Sequence, residues 1–199
     1  MPSAPIKSRP IYRPLTPRPG LVHLIVADGE GAAAILDLAA KTPAGFFART
    51  HVIYIPLGTV TDLIGGLRAL APETLYEAPS LAAAVPRLQQ VLSTARMGTR
   101  LYLAGTEGLI GQVMRLAIEA GMDHASIEAE HRGSLARRVQ CVHCKGITED
   151  VTTQPCVCRH CGLTLLVRDH YSRRIAAFQG VCIDAEDPGT APPLEEAFR

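Results

Sequence analysis

The chain contains no tryptophan, and aromatic residues make up only 5% of its 199 positions. Platforms that stack sugars or bases are built from aromatic rings, so such a surface is not expected here. No apolar run reaches the length of about 18 residues that a membrane-spanning helix needs. The first twenty residues also lack the apolar core of a secretory signal. We therefore expect a cytoplasmic protein whose cysteines stay reduced.

Neither sign of charge is in large excess, because the formal net charge is only +1. The charge is nevertheless unevenly distributed, with +4 over residues 1–20, −3 over 21–135, +4 over 136–176 and −4 over 177–199. The near-neutral total argues against a general nucleic-acid binder. The unevenness is typical of solvated surface, although it can also steer a partner.

Composition divides the chain into four segments. Residues 1–20 are rich in proline and predict an extended arm, which lies on this chain or reaches a partner, although a disordered leader is equally consistent with the composition. Residues 21–135 predict an α/β domain, and residues 136–183 a small β module. Residues 184–199 are acidic and proline-rich, which is typical of a tail or of a strap that binds a partner.

Three continuous apolar runs of strand length, at 21–27, 51–58 and 100–105, predict strands that are buried on both faces. Weaker patterns predict strands at 74–77 and 125–130, with amphipathic helices between the strands. Strands that alternate with helices imply a parallel sheet covered by helices on both faces. The predicted fold is therefore a five-stranded Rossmann-like sheet with a separate β module.

Two glycine turns follow the predicted strands at 21–27 and 100–105, at the edge where open parallel sheets bind ligands. Their backbone amides are candidates for holding the phosphates of a nucleotide. The carboxylates of Asp28 and Glu30 oppose such binding, and the glycines are equally explained by tight strand-to-helix turns. The candidate cofactor-binding residues are Gly29, Gly31, Gly105 and Gly108.

Two cysteine pairs, Cys141-x-x-Cys144 and Cys158-x-x-Cys161, are separated by 13 residues. Each pair directs two thiolates at one point, and two such pairs suit a tetrahedral zinc ion. Because protein fills all four ligand positions, the zinc is expected to be structural. A rubredoxin-type iron site has the same pair geometry and stays the alternative.

The remaining cysteines and the nearby histidines are not predicted to bind metal. Each Cys-x-x-Cys turn is called a knuckle below, and Cys156 fits such a turn less well than Cys158 does. Cys182 lies in a strand pattern typical of a buried thiol. His143 and His160 lie inside the two knuckles, where they are expected to be part of the turns and not metal ligands.

The β module contains two β-rich runs, 163–169 and 174–183, around a predicted exposed turn. Arginines beside an aromatic residue are typical of interface anchors. We expect this turn to contact a partner, although a solvated hairpin tip is the simpler alternative. The candidate interface residues are Arg168, His170, Tyr171, Arg173 and Arg174.

The motif HLIVADGEGAAAILDLA at 23–39 resembles the start of the NAD(P)-binding domain of ferredoxin-reductase-type flavoenzymes, and 101–130 resembles its closing segment. The resemblance covers residues 21–131. Asp28 and Glu30 stand where that family has glycine and threonine. Only twenty residues precede the first strand, so we expect no flavin-binding barrel and no flavin on this chain.

The cysteine pairs, the VRDHYSRR turn and the AFQG segment are together similar to the carboxyl-terminal ribbon of a subunit of bacterial dimethylamine monooxygenase. The resemblance implies an accessory, non-catalytic subunit of a hetero-oligomer in methylamine metabolism. Such an enzyme uses NADPH and dioxygen to demethylate a secondary methylamine oxidatively, giving methylamine and formaldehyde. The resemblance also implies zinc in this chain, haem on one partner subunit, and flavin with an iron–sulfur cluster on a reductase partner.

Two other functions stay open on the residues alone. The +4 charge of residues 136–176 favours a stand-alone zinc ribbon that binds nucleic acid or protein, whereas the acidic middle domain opposes it. An independent NAD(P)-dependent oxidoreductase is the third possibility. No constellation of catalytic acid, base and nucleophile in the sequence supports it.

Overall fold

A computed structural model describes residues 8–58 and 63–199, which form two compact units. The α/β unit comprises Tyr12–Gly133, and the β unit comprises Ser134–Arg199 together with residues 8–11. Residues 1–7 of the predicted arm, and the first residues of the helix expected after the second strand, lie outside the described part. Within that part, no helix is long and apolar enough to cross a membrane.

In the described part of the α/β unit, five parallel strands form one sheet in the order β3-β2-β1-β4-β5. The strands are β1 (Val22–Asp28), β2 (Thr50–Ile55), β3 (Thr74–Glu77), β4 (Thr99–Gly105) and β5 (Ile127–His131). The helices are α1 (Gly31–Ala39), α2 (Leu63–Ala69), α3 (Leu81–Ser93) and α4 (Glu107–Glu119). The predicted parallel sheet is thus confirmed. Strand order reverses between β1 and β4, which places their carboxyl ends at the crevice typical of Rossmann-like sheets.

The sheet has a separate apolar core on each face, because successive side chains of a strand point in opposite directions. Leu24 and Val26 of β1 pack with residues of α3 and α4. Ile25 and Ala27 pack on the other face with residues of α1. Burial on both faces explains why β1, β2 and β4 are continuous apolar runs in the sequence.

The segment from Tyr12 to Gly20 belongs to the α/β unit and lies along its edge strand β5. Leu15 is 1% exposed, and its backbone N–H donates to the Glu130 carboxylate at 2.7 Å. Arg18 forms an ion pair with Glu128 at 2.9 Å. This part of the predicted arm therefore lies on the chain itself, where it covers an edge that would otherwise be open to pairing.

The described residues of the β unit form a five-stranded sheet, in the order β7-β6-β11-β10-β9, and a two-stranded pair, β12-β8. The strands are β6 (Arg137–Cys141), β7 (Ile147–Val151), β8 (Thr153–Gln154), β9 (Cys156–Val157), β10 (Thr164–Ser172), β11 (Ala177–Cys182) and β12 (Glu195–Glu196). Strands β6 and β11 are parallel, and their neighbours are antiparallel. One small core fills the inner face of this sheet.

The predicted acidic tail returns to the β unit at its end. Strand β12 pairs with β8, and the ring of Phe198 lies 4.0 Å from the guanidinium of Arg137. That guanidinium is also 4.2 Å from the ring of Phe178 and bonds to the Asp169 carboxylate at 2.8 Å. Two rings and one carboxylate thus compensate the burial of a charged side chain.

His23 of β1 is buried in the α/β unit, with 1% of its surface exposed. Its ring stacks on Phe46 at a centroid distance of 4.0 Å. Neither ring nitrogen has a hydrogen-bond partner among the residues that the structure describes. Burial, together with the positive charges of Arg49 and Arg100, lowers the pKa of His23 to about 4. The folded state therefore holds the neutral imidazole.

We expect His23 to make the α/β unit sensitive to acid. Its pKa is lower in the folded state than in the unfolded state, so its full stabilising contribution is present above pH 6.5 and is lost as the pH falls toward 4. At about 1.4 kcal/mol per pKa unit, the loss is on the order of 3 kcal/mol. Urea unfolding should show that the free energy of unfolding falls less between pH 7.5 and pH 4.5 for His23→Leu than for the wild type. The exposed His124→Gln variant should lose as much free energy of unfolding as the wild type over this range. An equal loss for His23→Leu would contradict the assignment of the acid sensitivity to His23.

Candidate metal centre

The structure brings the four paired cysteines together. Their sulfur atoms all lie within 4.8 Å of one another. The Sγ atoms of Cys141 and Cys161 are 3.8 Å apart, and those of Cys144 and Cys158 are 3.7 Å apart. A tetrahedral ion with metal–sulfur bonds of about 2.3 Å requires sulfur–sulfur distances of about 3.8 Å. The cluster is therefore compact enough to hold one tetrahedral metal ion.

Both knuckles have the same backbone geometry, which explains why the pairs converge. In the first, the N–H of Cys141 donates to Gly146 O at 2.9 Å, and the N–H of Lys145 donates to Cys141 O at 2.9 Å. In the second, Cys158 and Gly162 repeat these bonds at 2.9 and 3.0 Å. The residue after each pair takes a positive φ, 63° at Lys145 and 76° at Gly162. Glycine adopts this conformation readily, whereas lysine does so at a cost.

The pKa values of Cys158 and Cys161 are shifted in opposite directions. Burial opposes ionisation of Cys158, but the backbone N–H groups of His160 and Cys161 and the adjacent thiols lower its pKa to about 6. For Cys161 the N–H of Leu163 acts in the same direction, yet burial and bonds to the other thiols raise its pKa to about 12. A thiol must lose its proton to bind a metal, so acid competes with metal binding.

The two other cysteines lie outside the cluster. Cys156 is 4% exposed and belongs to the core of the β unit, where burial raises its pKa to about 11. The thiol of Cys182 donates to the Asp184 carboxylate at 3.3 Å. Neither is grouped with the metal-binding thiols.

His160 also makes contacts outside its own turn. Its Nε2 lies 2.8 Å from the carbonyl oxygen of Ile147, so this nitrogen carries the proton and donates it. Its ring packs so closely on Gly146 that an added Cβ there would overlap the ring. The neighbouring Arg159 N–H donates to Thr148 Oγ1 at 3.2 Å. These contacts join the second knuckle to the first, next to the thiols, and the sequence pattern did not reveal them.

The glycine turns lie together at the carboxyl ends of β1 and β4, as predicted. The Asp28 carboxylate accepts bonds from the backbone N–H of Thr106 at 2.7 Å and from its hydroxyl at 2.6 Å. Burial raises the pKa of Asp28, and these two bonds partly offset that effect. An added Cβ at Gly31 would overlap the Ala104 carbonyl, and one at Gly105 would overlap Asp28. Close packing thus explains two of the four candidate glycines.

The other two glycines complete the turns. The N–H of Gly29 donates to Ile55 O at 2.8 Å, and the φ of Gly29 is 45°. Gly108 lies in the first turn of α4, where its carbonyl oxygen accepts a bond from the Gln112 side chain at 3.0 Å. All four candidate glycines therefore lie in the two turns beside the crevice.

One candidate interface residue is not where the sequence suggested. Tyr171 is only 9% exposed, and its ring packs edge-on against Phe178 at 5.0 Å. Strand β10 continues to Ser172, and a register shift between Arg168 and Tyr171 turns the tyrosine inward. The expectation of an exposed aromatic was therefore wrong. The exposed candidates are Arg168, His170, Arg173 and Arg174, with the turn itself at 173–176.

Comparison with known proteins gives matches for both parts of the chain. A family model described as dimethylamine monooxygenase subunit DmmA-like, N-terminal domain, matches residues 4–127. The model for the C-terminal domain of the same subunits matches residues 138–181.

Among the proteins similar to the chain are a curated relative and a solved structure. The heme-dependent oxidative N-demethylase delta subunit of Ectopseudomonas mendocina (strain ymp) is 39% identical over 110 residues, which are 52% of this chain and 62% of the relative. The match thus spans less than two thirds of that relative. Phthalate dioxygenase reductase has a TM-score of 0.47 and 15% identity, covering 68% of this chain and 45% of its own.

We predict that Cys144→Ser removes the metal. Loss of one thiolate leaves three ligands, so the content should fall from about one ion per chain to near zero, with a lower melting temperature of the β unit. Inductively coupled plasma mass spectrometry and a thermal scan measure the two effects. Cys182→Ser is the matched control and should retain the metal. Equal metal content in both variants would contradict the four-thiol site.

We also predict that His160→Ala weakens metal retention while leaving all four thiols in place. Loss of contacts that hold ligands in position costs about tenfold or more in metal affinity. Transfer of the metal to a chromophoric chelator should therefore be faster for His160→Ala than for the wild type. His143→Ala, in the first knuckle, should release metal at the wild-type rate. Identical release from all three proteins would show that His160 does not stabilise the centre.

Proposed function

The chain belongs to the family of DmmA-like dimethylamine monooxygenase subunits, and from this premise we propose that it is an accessory subunit of a multisubunit oxygenase. The observation that supports the proposal most directly is the match of both segments, 4–127 and 138–181, to the two domains of these subunits. The similarity to an oxidative N-demethylase delta subunit supports the same class of complex.

The proposed complex acts in the cytoplasm on a secondary methylamine, for which dimethylamine is the model substrate. NADPH supplies two electrons, one oxygen atom of dioxygen reaches a methyl carbon, and the other leaves as water. The oxidised carbon departs as formaldehyde, so methylamine remains. In this proposal haem lies on one partner subunit, and flavin with an iron–sulfur cluster lies on a reductase partner. This chain docks the two partners.

Zinc is the metal that we assign to the four-thiol centre. Four thiolates fill every position of a tetrahedral ion, so the site leaves none for substrate or dioxygen. The core of the β unit is small, so the metal contributes to its folding free energy. The proposed role of Cys141, Cys144, Cys158 and Cys161 is therefore to fix the shape of a docking module.

For the α/β unit we propose a scaffold role in preference to nucleotide binding. A nucleotide's phosphates would have to approach the Asp28 carboxylate, which already accepts the N–H at the start of α4. Like charges in so confined a place repel. Binding of NADPH by Gly29, Gly31, Gly105 and Gly108 is the alternative proposal for the same crevice.

The charge of the β unit favours a protein partner over nucleic acid. Arg137 is buried and bonds to Asp169, and Arg138 bonds to Glu149 at 2.7 Å. These pairs are already counted in the net +4 of residues 136–176, and the −4 of residues 177–199 cancels that charge over residues 134–199 as a whole. Fewer cations are left to bind phosphates.

Co-expression with the haem-binding and reductase subunits tests the proposal. We expect the tagged chain to copurify with both partners through size exclusion. After the subunits are separated, elemental analysis should find zinc with this chain and iron with the partners. A lone monodisperse chain would contradict the accessory role. Iron in this chain, with the visible absorption of a four-thiolate iron site, would contradict the zinc assignment.

A further inference from the structure

The outer face of the β unit's main sheet carries an apolar patch formed by Val157, Leu166, Val181 and Ile183. We propose that this outer patch is the surface with which the β unit binds a partner subunit whose contact surface is apolar at its centre and acidic at its rim. The inference rests on the proposed function, since it names a docking surface within the proposed complex.

Strand register brings the four side chains onto one face. Leu166 lies between Leu165 and Val167, which are buried in the inner core, so Leu166 points outward. Val181 is directly opposite Leu166 in the antiparallel β10–β11 pair and shares its face. These two residues form the centre of the patch.

Thr164 connects the centre to the other two members. It is two residues from Leu166 and therefore on the same face. Val157 is its partner on β9, and the N–H of Ile183 donates to its carbonyl oxygen at 3.0 Å on the β11 side. The patch thus extends across three neighbouring chain segments.

The exposure of the patch is not explained by the fold of the β unit. Val157 is 45% exposed and Leu166 is 37% exposed, whereas their neighbours Cys156 and Leu165 are buried in the core. Antiparallel sheets normally present polar residues on the face that is open to water. Contiguous apolar side chains on such a face are typical of protein-binding surfaces.

Charge around the patch indicates the chemistry of the occupant. Arg168 follows Leu166 on the same face and bonds only to the neutral Gln179 among the described residues, at 3.4 Å. Arg159, two residues from Val157, is exposed and forms no ion pair within that part of the chain. These two cations favour a partner with acidic residues along that part of its rim, whereas residues 184–187 carry three carboxylates directly after Ile183.

The test compares single variants in the co-expressed complex. Leu166→Asp places a carboxylate at the centre of the patch and should weaken retention of the partner by about tenfold or more. Arg168→Glu should weaken it as well and should reduce the salt dependence of binding. Ile118→Asp is the matched control, because Ile118 of α4 is 44% exposed and lies in the other unit. Metal content and melting temperature verify that each variant is folded.

The outcomes separate this inference from the proposed function. If the wild-type chain does not copurify with any partner, the proposed function fails. If the wild type copurifies and folded Leu166→Asp and Arg168→Glu copurify equally well, the accessory role stands and the outer patch is not the docking surface. If the isolated wild type sediments as a dimer and Leu166→Asp as a monomer, the occupant is a second copy and the inference is overturned.

Discussion

The β unit is organised around the convergence of four cysteine sulfurs on one point. Thiolates held 3.7–3.8 Å apart repel one another unless a cation lies between them. Beyond the thiols, the knuckles are connected by a histidine ring, a threonine hydroxyl and a few strand bonds. Without an ion, protons would take its place on the sulfurs, and only these contacts and a small core would join the two knuckles. A metal at this point would add a direct connection between β6 and the β9–β10 hairpin, which the sheet joins only through β11.

The α/β unit is stabilised in a different way, by apolar burial on both faces of its sheet. Polar side chains are placed at the strand ends and along the edge. Glu128 and Glu130 of β5 receive the amino-terminal segment, and Asp28 receives the start of α4. The α/β unit thus has two apolar cores, whereas the β unit has one small core beside its thiol cluster.

The features predicted from sequence are those set by local pattern. Buried parallel strands give apolar runs, and a tetrahedral centre gives paired cysteines, so both could be identified directly. The inward turn of Tyr171 follows from a register shift, which leaves no mark in the residue types. The contact of Leu15 with Glu130 joins residues 115 positions apart, and the bond from His160 to Ile147 uses a backbone oxygen. Such contacts depend on the fold and cannot be found by spacing.

The bond between Asp28 and Thr106 limits how this crevice can change during evolution. Removing the carboxylate alone would leave a part-buried amide and hydroxyl without their acceptor, and removing the hydroxyl alone would leave a buried acid with fewer donors. The two positions therefore form an epistatic pair. A lineage in which one has drifted is expected to carry a compensating change at the other, and a change to a phosphate-accepting crevice requires two coordinated substitutions.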